Sequence, residues 1–95
     1  MRVDIDGNNI LNEADFHSAI SSALSLPRYY GRNLDALFDV LSVDVERPLV
    51  LAWQNSSISQ EKMREGFARI VDVLRRIEVQ DSEWDLAERF ELRLL

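Results

Sequence analysis

Apolar and polar positions alternate at the start of the chain, where Val3 and Ile5 stand between charged residues and Asp6-Gly7-Asn8-Asn9 follows as a turn. Period two closed by turn formers predicts a short strand over 1–6. The period then lengthens. Phe16, Ile20, Ala23 and Leu24 share one helical face, and Asn12 precedes them as an N-cap with Asp15 three residues on, which predicts a helix over 13–24 ending before Pro27. Pro27-Arg28-Tyr29-Tyr30-Gly31-Arg32 reads as a loop, and Asn33 caps a second helix over 34–42 with Leu34, Leu37 and Leu41 on its inner stripe. Leu49–Trp53 is an uninterrupted apolar run of the kind buried on both faces of a parallel sheet. A polar loop, 54–59, leads to a longer helix over 60–77, whose Met63, Phe67, Ile70, Val71, Leu74 and Ile77 keep a 3.6-residue period. Phe90, Leu92 and Leu94 alternate with Glu91 and Arg93 in a last strand.

The order is β-α-α-β-α-β. Strands separated by helices pair in parallel. The fold class expected is α/β, a small two-layer domain with a three-stranded parallel sheet in the order 1-2-3 and the apolar second strand in the middle. Residues 1–95 make one domain, with no repeat, low-complexity tract or linker.

Charge sharpens this picture. The net charge is −6, which argues against general nucleic-acid or anionic-membrane binding and favours basic partners. The chain has no Cys, no signal-like apolar segment at its N-terminus and no run near the ~20 residues a membrane span needs, so a cytoplasmic protein is expected. Chemistry-bearing groups are scarce. His17 is the only histidine and reads as a half-buried packing residue on the first helix rather than a general base. There is no phosphate-binding glycine loop and no metal-ligand spacing, so no catalytic residue, metal or cofactor is expected.

The second helix and its approach stand out. Asp35, Asp39, Asp44 and Glu46 lie between Asn33 and Glu46 with no basic residue among them. At 100° per residue from Leu34, Asp35 falls at about 100° and Asp39 at about 140°, whereas Leu37 and Leu41 point inward. Like charges four apart cost a helix a few tenths of a kcal/mol. Asp35 suits the helix dipole; Asp39, in mid-helix, has no such compensation. Phe38 lies at the border between the two faces. An acidic helix face is most often simply solvated, with such an aromatic turned into the core. Here it follows an exposed-looking Tyr29-Tyr30-Gly31, and tyrosines beside carboxylates are the composition of a binding hot spot. Carboxylates on a rigid helix are suited to take the place of phosphates in a basic active site. A second acidic stretch, 78–91, reads as a solvated connection anchored by Trp84.

Leu26-Pro27-Arg28-Tyr29-Tyr30-Gly31-Arg32-Asn33-Leu34-Asp35-Ala36-Leu37-Phe38-Asp39 resembles the signature segment of the barstar family of intracellular ribonuclease inhibitors, and Glu46-x-Pro48-Leu49-Val50-Leu51-x-Trp53 continues the likeness. It covers about the first 55 residues closely and the rest by element order. The resemblance implies a three-stranded parallel sheet with helices, and a second helix and preceding loop laid across a ribonuclease active site. By the same likeness Asp39 would occupy the substrate phosphate site, Asp35 would pair with neighbouring cations and Tyr29 would pack on a catalytic histidine. Gly31 and Asn33 would shape the loop, and Leu34 and Phe38 would add apolar contact. The rim departs from the family: Phe38 and Asp44 stand where barstar has tryptophans, and Arg76 where it has a glutamate, although Asp72 four residues earlier offers Arg76 a partner.

The expected function is therefore inhibition of a small basic microbial ribonuclease, with a role in toxin immunity as one setting. The partner-binding residues are Tyr29, Tyr30, Gly31, Asn33, Leu34, Asp35, Phe38, Asp39, Asp44 and Glu46. A 1:1 complex is expected, with a free monomer and no direct contact to nucleic acid or membrane. The competing readings are a module of the same fold that binds another basic protein, and a small metal-dependent enzyme using Asp35 and Asp39.

Overall fold

The computed structural model describes residues 1–95. The elements are β1 (Arg2–Asp6), a short 3-10 turn (Gly7–Asn9), α1 (Glu13–Leu24), α2 (Leu34–Asp39) running on as a π turn (Val40–Asp44), β2 (Leu49–Gln54), α3 (Ser56–Met63), α4 (Glu65–Glu83) and β3 (Phe90–Leu94). The sheet order is β1-β2-β3 and both pairings are parallel, with Ile5 beside Trp53 and Leu51 beside Leu92. The α/β class, the strand order and the central place of β2 are those expected.

Alternation along the strands separates two faces. Ile5, Leu49, Leu51, Trp53, Phe90 and Leu92 point into a core completed by Phe16 and Ile20 of α1, Leu37 of α2 and Ile70, Leu74 and Ile77 of α4. The Trp53 ring sits between Phe16 and Phe67, with centroids 5.2 and 4.9 Å away. The opposite face carries no helix, as a two-layer domain requires, and of the apolar run Leu49–Trp53 only Val50, on that face, is half-buried. Val50 and Ala52 lie there between an Arg2–Asp4 pair on β1 and an Arg93–Glu91 pair on β3, and Ala52, flanked by Asp4 and Arg93, is buried.

Residues 56–59 form the first turn of α3 rather than a loop, and the long helix starts at Glu65 after a break at Arg64, where φ is 52° and ψ −115°. The inner side of α3 is polar, so no apolar period marks it. Ser59 is fully buried; its hydroxyl accepts from Trp53 Nε1 at 3.2 Å and donates to the Gly7 carbonyl at 3.1 Å. Gly7 is required at that contact, because a Cβ there would stand 2.1 Å from the Asn55 carbonyl oxygen.

The acidic 78–91 stretch also differs from expectation. It is helical to Glu83, Trp84 is 62% exposed and anchors nothing, and Asp81 is 1% exposed. Two of its acids close the outer edge of β3. Asp81 Oδ2 accepts the Phe90 N–H at 2.8 Å and Glu78 Oε2 accepts the Leu92 N–H at 2.7 Å, while Arg75 Nη1 donates to the Leu92 carbonyl at 3.1 Å. Asp81 also takes a two-pronged bond from Arg47, at 2.8 and 3.3 Å, so one carboxylate joins α4, β3 and the entry to β2.

Candidate partner-binding face on the second helix

Asn33 Oδ1 accepts the Ala36 N–H at 2.8 Å, as an N-cap should, and its Nδ2 donates to the Gly31 carbonyl at 3.3 Å, fixing the loop to the helix it starts. Gly31 is packed closely there: a Cβ would lie 3.2 Å from Ala36 Cβ.

The two tyrosines face opposite ways. Tyr29 is 77% exposed, while Tyr30 is 6% exposed and belongs to the core. This corrects the expectation of two exposed tyrosines: Tyr30 supports the loop from behind. Its hydroxyl bonds Nδ1 of the buried His17, whose Nε2 faces Glu13 Oε2 at 2.9 Å, so both ring nitrogens have partners. Burial pushes the Tyr30 phenol up from its ordinary value, so the group stays neutral. Arg32 adds a second tie to α1 through Ser18 Oγ at 3.2 Å. Tyr30→Phe is expected to leave a buried imidazole nitrogen unpaired and to cost roughly 1–3 kcal/mol in urea unfolding. Tyr29→Ala is expected to stay within about 0.5 kcal/mol of the unaltered protein in the same measurement.

On α2, Leu37, Val40 and Leu41 are buried, and Asp35 and Asp39 project outward as the helical placement required. Residues five apart on an α-helix are about 140° apart, and the wider π turn, with i→i+5 bonding, narrows that angle. The turn at Val40–Asp44 has that form, and Asp44 accordingly lines the same cleft as Asp39, together with Tyr29 and Gly31. Nothing in the residue pattern announces the π turn. Glu46 is exposed but lies apart, beside Leu24, Leu26 and Pro27 in a hollow that Asp44 also borders. Leu34 and Asp35 border a second hollow, between α2 and α4, with Asp72 and Arg76.

Ion pairs engage Asp4, Glu13, Glu65, Asp72, Glu78, Asp81, Asp85 and Glu91. None engages Asp35, Asp39, Asp44 or Glu46; Asp6, Asp15, Glu61, Glu83 and Glu88 are also without one, but they are scattered over the rest of the chain, whereas these four follow one another on α2 and the chain that continues from it. The one cation seen in contact with α2 is Arg76, whose guanidinium lies 5.5 Å from the Phe38 ring centre and 3.6 Å from Asp72. The Asp72 pairing matches expectation; the stacking on half-buried Phe38 joins residues too far apart in sequence to be foreseen.

No helix of the chain is long and apolar enough to cross a membrane. Residues 1–94 match the family model described as Barstar (barnase inhibitor). A Bacillus subtilis (strain 168) protein named "Putative ribonuclease inhibitor YrdF" is 31% identical over 91 residues, covering 96% of this chain and 94% of the relative. The match over almost the whole length, on a three-stranded parallel sheet with this helical layer, makes the chain a member of the barstar family, whose described activity is inhibition of a ribonuclease rather than catalysis.

Proposed function

We propose that this protein inhibits a small basic ribonuclease by placing the Tyr29–Asp44 surface across its active site. The observation that carries the reading is the row Asp35, Asp39 and Asp44, exposed and without an ion pair on a helix whose other side is core. Carboxylates already free of internal partners lose nothing inside the inhibitor when they pair with enzyme cations. A fixed helix also spares the ordering cost a flexible acidic segment would meet. Asp39, at the centre of the row and beside Tyr29, takes the phosphate position. Asp35 and Asp44 meet cations on either side, Tyr29 covers a ring of the enzyme, and Leu34 and Phe38 supply apolar contact. Gly31 and Asn33 hold the loop in shape and Glu46 meets the periphery. The complex is 1:1, the free inhibitor monomeric and cytoplasmic, and protection of a producing cell from its own ribonuclease toxin is the role such a complex suits.

The test is an inhibition assay against a panel of small basic microbial ribonucleases, starting with barnase and any ribonuclease encoded beside this gene. At least one is expected to be inhibited at a 1:1 ratio, with association slowing steeply as salt rises from about 0.05 to 0.5 M. Failure to inhibit any of them would overturn the proposal.

A further inference from the structure

Arg76 stands at the margin of an otherwise acidic face. Arg47, Arg75, Arg89 and Arg93 each spend N–H groups on hydrogen bonds within the chain, whereas Arg69 and Arg76, which share the hollow beside Asp35, make none. Each has only a loose ion pair one turn back, Arg69 with Glu65 at 3.8 Å and Arg76 with Asp72 at 3.6 Å, and Arg76 alone of the two lies over an aromatic ring. What holds it is the Phe38 ring, 5.5 Å away. A guanidinium placed over an aromatic ring keeps its edge donors free in a fixed plane, which is the arrangement that recognises a carboxylate. The neighbouring hollow is bordered by Leu34 and Asp35, so a partner that covers Asp35 and Phe38 also meets Arg76.

We infer that Arg76 is a specificity determinant which pairs with an aspartate or glutamate on the rim of the target's cationic active site. This rests on the inhibitor reading above and adds to it: the target is not uniformly basic around its active site, but carries an acidic residue where α4 meets it. A cation beside Asp35 weakens the attraction of the acidic row for a purely basic surface. Opposite a carboxylate it discriminates instead, because enzymes with a cation at that point are repelled.

The sign of one substitution decides. Arg76→Glu makes the inhibitor more acidic by two charges, and on long-range attraction alone that change speeds association with any basic enzyme. Arg93→Glu makes the same change on the helix-free face of the sheet and serves as the control for it. The probe is the ribonuclease in the panel that the unaltered protein inhibits most strongly. With it, Arg76→Gln is expected to raise the dissociation constant about tenfold and Arg76→Glu further, while Arg93→Glu leaves it unchanged or lowers it. Circular dichroism and urea unfolding establish that each variant is folded, and the neutral Arg76→Gln avoids placing a like charge beside Asp72. Binding by Arg76→Glu and Arg76→Gln as tight as that of the unaltered protein, or tighter, refutes the acidic rim and leaves the inhibitor reading intact. Absence of inhibition by the unaltered protein refutes both.

Discussion

Asp39→Ala is expected to raise the inhibition constant about a thousandfold, a loss of about 4 kcal/mol, which is the size of central interface hot spots in general; the upper end of that range was established on barstar itself. The reason is local. Asp39 is exposed, has no ion pair of its own, and lies in one cleft with Tyr29 and Asp44. Truncation therefore breaks nothing within the inhibitor but leaves enzyme cations buried without a counter-charge. The same change removes a like-charge neighbour of Asp35, so the free protein gains a few tenths of a kcal/mol in stability. Affinity and stability should move in opposite directions, which separates an interface role from a folding role in a single variant. Inhibition left unchanged by Asp39→Ala would sink the assignment of the site.

The largest effect on stability is expected at Asp81. Asp81→Ala removes the acceptor for Arg47 and for the Phe90 N–H together, at a position 1% exposed. Breaking a buried pair by deleting one partner costs about 3–5 kcal/mol, a large part of the 5–15 kcal/mol typical of whole domains. Acid should reproduce the effect in part. Burial pushes the Asp81 carboxyl up, but the hydrogen bonds from Arg47 and Phe90 and the nearby positive charge outweigh it and hold the group below its ordinary value of 3.8. A carboxyl depressed on folding adds stability that is complete above the unfolded value and is lost as pH falls through the folded one. Urea midpoints should therefore drop below about pH 4 in the unaltered protein, and the drop should be shallower in Asp81→Ala. Equal acid sensitivity in both proteins would show that this carboxylate does not carry it.

The contrast between Asp81 and Asp39 also shows what could be read from residue order. Strands and amphipathic helices were legible because apolar spacing reports directly on burial: Phe16 and Ile20, Leu37 and Leu41, and Ile70, Leu74 and Ile77 all lie in the core. The caps Asn12 and Asn33 were legible as well, since their role depends only on residues three positions on. Hidden from it were elements that bury polar atoms. The inner side of α3 carries Ser56 and Ser59, and their partners Leu95, Gly7 and Trp53 are remote or ambiguous in sequence. Glu78 and Asp81 look like surface charge until β3 supplies N–H groups for them. In the candidate binding face, the outward stripe of Asp35 and Asp39 followed from 100° steps. A tandem tyrosine in a loop has no period, so the inward turn of Tyr30 toward His17 did not.

The closure of β3 by Arg75, Glu78 and Asp81 has a consequence for concentrated solutions. Growth of a strand-on-strand polymer requires every molecule to offer two open edges, one to accept a neighbour and one to pass the pairing on. Side chains already occupy the Phe90 and Leu92 positions of β3, which leaves β1 as the one edge that another strand can join. Edge-to-edge pairing of two folded copies through β1 terminates itself, and a fibre built from the native sheet has no site for its third member.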